Sequence, residues 1–140
     1  MEKKKIVIDA SIVVKWFLEE EYSSESLQLR NDYVRGFFTI AAPSLLKYEV
    51  LNALRYSGVY GIGELKDLGV ALDKYGFELY ELEGELKELT IETALKSNTT
   101  IYDASYIALA RLLNTILYTA DKELLEKFPD TAIHIKQYRS

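Results

Sequence analysis

Twice in this chain a short apolar run ends at an aspartate and gives way to a helical stretch. Ile6-Val7-Ile8 leads into Asp9, and Ile116-Leu117-Tyr118-Thr119 leads to Asp121. Apolar runs this short are strands rather than helices, and each is bounded on its far side by a residue that caps helices well. Each aspartate therefore stands at the carboxyl end of a strand, where open parallel sheets place their ligands. The capping role and a ligand role are compatible, because one oxygen can cap while the other turns toward a crevice.

The remaining pattern repeats the alternation of short apolar runs with longer amphipathic ones, and the fold class it predicts is α/β. A helix follows Asp9 through Leu18, and a second runs from Ser23 or Ser24 to about Arg35 with Leu27 and Val34 among its inward positions. A strand over 38–42 ends at Pro43-Ser44, and Ser44 is placed to cap the next helix, which carries Leu45, Leu46, Tyr48, Glu49, Asn52 and Ala53. Glycines between 58 and 63 break that helix before another begins near Glu64. Residues 77–82 alternate and suit either a strand or an extended connection. Helical patterning returns over 85–96 and again after Thr100, which with Asp103 forms a loose capping box. A short helix follows Asp121, and 132–135 form a last strand. No repeat, low-complexity tract or linker divides the chain, so one domain over 1–140 is expected.

Composition narrows the chemistry. The chain has no cysteine and a single histidine, His134, so disulfides, thiolate metal sites, cysteine nucleophiles and a two-histidine ribonuclease mechanism are excluded. His134 lies in an apolar alternation and reads as a strand residue facing solvent or a neighbour. Acid–base and metal chemistry must rest on carboxylates. A net charge of −5 argues against a passive nucleic-acid coat, though not against a nuclease that recruits phosphate through divalent cations. The apolar run after the basic start stops at Asp9, too short for a signal-peptide core, so a cytoplasmic location without a membrane span is expected.

Glu49 and Asn52 share one helix face beside apolar neighbours, and Asp103 precedes the small-residue face Ala104, Ile107, Ala108 and Ala110. Either acid can serve a ligand or simply reach solvent at the stripe's edge, and Asp103 also complements the helix dipole. Gly61-Ile62-Gly63 is no dinucleotide fingerprint, since Lys66 stands where the third glycine belongs. Asp9-Ala10-Ser11 lacks the second aspartate of a phosphoaspartyl enzyme. Trp16-Phe17 and the many tyrosines suit base stacking or core packing, and packing is the cheaper account. Glu19-Glu20-Glu21 reads as a solvated helix end.

Four segments in order, Ile6 to Phe17, Ala42 to Leu54, Tyr102 to Ala110 and Leu117 to Asp121, resemble the motifs of the PIN-domain ribonucleases, most closely the VapC-type toxins of toxin–antitoxin pairs. In that resemblance Asp9, Glu49, Asp103 and Asp121 fall at the family's acidic positions and Thr119 at its own. The resemblance implies a three-layer α/β/α domain with a central, mainly parallel sheet, a homodimer, and an antitoxin that occupies the active-site groove. It implies a metal-dependent endoribonuclease in which Asp9, Asp103 and Asp121 hold Mg²⁺ or Mn²⁺, directly or through water, while Glu49 completes the shell or orients the attacking water. Ser11, Asn52 and Thr119 are then candidates to fix carboxylate rotamers or touch phosphate. Water attack leaves a 5′-phosphate and a 3′-hydroxyl. Two other readings stay open at this point: a metal-dependent phosphohydrolase on a small phosphoester, and a catalytically silent binding module whose aspartates only cap helices.

Overall fold

The computed structural model describes residues 3–140, so Met1 and Glu2 of the basic start lie outside the described residues. Five strands form one sheet in the order β3-β2-β1-β4-β5: β1 (Lys5–Ile8), β2 (Thr39–Pro43), β3 (Glu78–Tyr80), β4 (Leu117–Thr119) and β5 (Ala132–His134). Every pairing is parallel, with Val7 beside Ala41 on one side and beside Leu117 on the other. The helices are α1 (Ala10–Phe17), α2 (Ser23–Val34), α3 (Leu46–Tyr56), α4 (Ile62–Lys74), α5 (Gly84–Lys96), α6 (Ile101–Leu112) and α7 (Lys122–Lys127), and a 3-10 turn spans Ile135–Gln137.

The strand order explains the layers. From β1 the chain steps outward to β2 and β3, then crosses back to β4 and on to β5. Parallel crossovers are right-handed, so steps in opposite directions put their helices on opposite faces. Helix α1 packs on α2 and α3, and α3 on α4; α6 packs on α5 and on β1, β2 and β4. The result is the α/β/α sandwich with a parallel sheet. Buried on both faces, the central strands need continuous apolar runs rather than alternation; Val7, Ile8, Ile40, Ala41 and Leu117 are fully enclosed. The small residues Ala104, Ala108 and Ala110 let α6 lie close to the sheet.

Two local expectations are corrected, and one left open is resolved. Val34 is exposed, and α2 instead buries Ser23, Ser26, Leu29 and Asp32. That polar face is tolerated because its groups are paired: Ser26 donates to the Ile12 carbonyl (2.7 Å), Trp16 Nε1 donates to the Ser26 carbonyl (3.0 Å), and Tyr138 donates to Asp32 (2.5 Å). Ser44 does not cap α3; its N–H donates to the Tyr80 carbonyl and its hydroxyl to Glu81, and the helix starts at Leu46. Of the region 77–82, Glu78–Tyr80 form the edge strand beside β2 and the residues around them are extended connection.

Other expectations stand. Thr100 caps α6 by accepting the Asp103 N–H at 3.0 Å. Trp16 is packed among Tyr75 and Phe77 rather than offered to bases. Glu19, Glu20 and Glu21 are exposed. His134 accepts the Lys136 N–H through Nδ1 and meets Tyr22 edge-on at 4.7 Å. Among the described residues no helix is long and apolar enough to cross a membrane.

Candidate active site at the strand switch point

The chain's reversal of direction falls between β1 and β4, which lie side by side. At such a point the connections leave to opposite faces and open a crevice beyond the strands' carboxyl ends. Asp9 follows β1 there and Asp121 follows β4, one residue beyond Ala120.

Asp9 is only 6% exposed. Its Oδ1 accepts the Ser11 N–H (3.1 Å) and the Ser11 hydroxyl (2.5 Å), which caps α1. Its Oδ2 accepts the Thr119 hydroxyl from β4. The same two hydroxyl oxygens each accept a backbone N–H from the turn after β4, Ser11 Oγ from Ala120 and Thr119 Oγ1 from Asp121, both at 3.0 Å. The proton of each hydroxyl is thereby committed to Asp9, so the carboxylate is fixed in rotamer and tied across the switch point. Asp121 stays exposed while its Oδ1 caps α7 through the Leu124 N–H (3.0 Å).

Glu49 reaches the crevice from α3 and Asp103 from the first turn of α6, each partly buried. Tyr106, one helical turn after Asp103, is 1% exposed and donates a 2.6 Å hydrogen bond to Glu49 Oε1. Nothing in the local pattern of α6 distinguishes this tyrosine from a core ring. Only its three-residue spacing from Asp103 puts both on one face. Asn52 lies on the exposed side of α3, where it borders one groove with Glu49 and Tyr48 and a second with Arg55.

Burial pushes Asp9, Glu49 and Asp103 the same way, and neighbouring charge adds to it at Asp9 and Asp103. Desolvation raises Asp9 to about 6, opposed by its Ser11 and Thr119 hydrogen bonds and reinforced by the charges of Asp121 and Glu49. Desolvation also raises Glu49 against the pull of Tyr106. Asp103 is raised by desolvation, then by Asp121, Glu49 and Glu123, with Lys127 opposing. Burial and the neighbouring carboxylates raise the Tyr106 hydroxyl far out of any titrating range, so it serves only as a neutral donor. Asp9 and Asp103 therefore feel the field of Glu49 and Asp121, a state a cation relieves.

As a donor set, these oxygens suit a hard divalent ion. Among the described residues no three His, Asp or Glu side chains stand close enough to close directly on one ion. The residues fit a cation that keeps part of its water, as Mg²⁺ does.

Comparisons with known proteins show the family. Residues 6–130 match the model of the PIN domain. A relative from Pyrobaculum aerophilum, Ribonuclease VapC3, is 32% identical over 133 residues, covering 89% of this chain and 95% of its own. The crystal structure of PAE2754, also from Pyrobaculum aerophilum, superposes with a TM-score of 0.64 at 28% identity, covering 97% of this chain and 93% of that one. A toxin–antitoxin complex from Klebsiella pneumoniae contains a chain of the same fold, with a TM-score of 0.68 at 14% identity over 96% of this chain and 99% of its own. With its sheet order, its acids at the switch point and this match over most of its length, the chain belongs to the PIN domain family.

Proposed function

We propose that this protein is a metal-dependent endoribonuclease, the toxin of a toxin–antitoxin pair, with Asp9, Glu49, Asp103 and Asp121 as its catalytic set. The observation that carries the reading is Asp9 itself: a nearly buried carboxylate at the switch point, held by Ser11 of α1 and Thr119 of β4, within the field of Glu49 and Asp121. A buried acid so crowded is costly as structure alone and useful as a ligand. Membership of the PIN domain family and the likeness to Ribonuclease VapC3 support the nuclease assignment.

In this reading Asp9, Asp103 and Asp121 would hold Mg²⁺ or Mn²⁺, in part through water. The ion supplies acidification of a bound water and neutralisation of phosphoryl charge. Ser11 and Thr119 keep Asp9 in the rotamer that faces the crevice. Glu49, steadied by Tyr106, orients the attacking water and takes its proton. Attack on the phosphorus breaks the bond to the 3′ oxygen, leaving a 5′-phosphate and a 3′-hydroxyl. A homodimer and a protein antitoxin that covers the groove complete the proposal; fold neighbours include DNA-bound antitoxin complexes from Rickettsia felis and Salmonella typhimurium.

The test is incubation with single-stranded RNA and Mg²⁺ or Mn²⁺, followed by EDTA. Cleavage should stop with EDTA and with Asp9→Asn or Asp103→Asn, and the fragments should carry 5′-phosphates that phosphatase removes. Cleavage that persists in EDTA, or ends bearing a cyclic phosphate, would overturn the mechanism.

A further inference from the structure

Tyr48 and Tyr102 are 81% and 62% exposed, which is unusual for rings that gain by burial. Each directly precedes an acid of the crevice, Glu49 or Asp103. Both rings border one groove of about 460 Å³ together with Glu49 and Leu45. Past Tyr102 and Leu45 the groove continues into a more enclosed cavity of about 180 Å³, walled mainly by apolar groups of Pro43, Leu82, Leu86 and Ile101. Two serines border this cavity, Ser44 and Ser105. Ser44 donates its proton to Glu81 and Ser105 to the Tyr102 carbonyl, so each oxygen keeps lone pairs for an incoming N–H.

We infer that this cavity, with Tyr102 at its mouth, receives one unpaired single-ring base of the RNA strand beside the phosphate to be cut. The inference rests on the ribonuclease reading of the adjoining carboxylates. A phosphate or ribose would find only two serine oxygens on a mainly apolar wall to replace its water, and the crevice's negative field repels the phosphate. A base is neutral, planar and apolar on its faces, and splayed bases of single-stranded RNA are ordinarily held on aromatic rings. Size selects among bases. An apolar cavity of roughly 150 Å³ accepts a benzene-sized ring, so about 180 Å³ suits a pyrimidine with its exocyclic oxygens. A purine's fused rings would leave one ring outside. The N–H of uracil or cytosine matches the acceptor oxygens of Ser44 and Ser105.

The experiment has a binding arm and a cleavage arm. In EDTA, isotope-labelled protein is titrated with uridine, adenosine and leucinamide while amide resonances are followed. Uridine should shift Ile101, Tyr102, Ser105 and Leu86, adenosine should do so more weakly, and Tyr102→Ala should abolish the effect while Tyr102→Phe retains it. Equal shifts from adenosine would overturn the single-ring assignment. Shifts from leucinamide alone would overturn the inference, giving the cavity to a protein side chain. In the cleavage arm, Tyr102→Ala should lower kcat/KM on a pyrimidine-containing oligonucleotide about tenfold or more, the scale of one lost base–aromatic stack. Unchanged cleavage would overturn the inference and leave the ribonuclease reading intact. Uridine binding by a protein that cleaves no RNA would uphold the cavity's assignment and defeat the nuclease reading instead.

Discussion

Thr119, at the end of β4, donates its hydroxyl proton to Asp9, 110 positions earlier at the end of β1, while its oxygen accepts the N–H of Asp121. One side chain thus serves two acids at once. Thr119→Val keeps the shape but strips a buried carboxylate oxygen and a backbone N–H of their partner. Leaving such groups unpaired costs roughly 1–3 kcal/mol each. Urea denaturation should show a loss of at least about 1 kcal/mol, and RNA cleavage should fall with it. Thr119→Ser, which keeps the hydroxyl, should recover most of both.

Asp9 gives the pH dependence. Folded, it holds its proton to about 6, against an ordinary value of 3.8. Ionising it therefore costs the folded state, and its contribution to stability is full below 3.8 and lost as pH rises through about 6. Without divalent ions, Asp9→Asn should be the more stable protein at pH 7.5, by up to about 3 kcal/mol. The gap should close toward pH 4. Thermal melts across that range in EDTA check it, and a pH-independent difference would contradict the assignment.

Tyr106 can be separated from Glu49 with little damage to packing. Tyr106→Phe keeps the ring in the core and removes the only attraction that holds the Glu49 pKa down. The Glu49 carboxyl should then titrate at higher pH, visible by carbon NMR of labelled glutamate. Stability should fall by about 1–2 kcal/mol, and the acid limb of the RNA-cleavage profile should move upward in pH. A purely structural tyrosine would change the melt and leave the carboxyl where it was.

Divalent ions should stabilise the fold by mass action. A ligand at a hundred times its Kd adds about 2.7 kcal/mol, so millimolar Mn²⁺ should raise the wild-type Tm by several degrees. Asp103→Asn and Asp121→Asn should blunt the rise, whereas Asp130→Asn, whose carboxylate pairs with Arg111 on the surface, should leave it intact. Calorimetry showing no ion binding at millimolar concentration would favour a silent module.

The sequence by itself determined the local elements and the place of each acid on them, because capping, apolar run length and helical spacing act between near neighbours. That is why Asp9 and Asp121 were legible as strand-end residues and Thr100 as a cap. It misjudged the inward face of α2, where paired serines and Asp32 mimic a solvent face. Only the tertiary structure decided that β1 and β4 are adjacent, since strand order is set by crossovers of many residues that leave no mark on any short segment. That adjacency brings Thr119 to Asp9, and the packing of α3 and α6 on opposite faces of the sheet lets Tyr106 meet Glu49 beyond the strands' ends. The same packing sorted the aromatics, burying Trp16 and leaving Tyr48 and Tyr102 at the groove. Composition alone cannot make that distinction, because burial depends on what the rest of the chain lays against a ring.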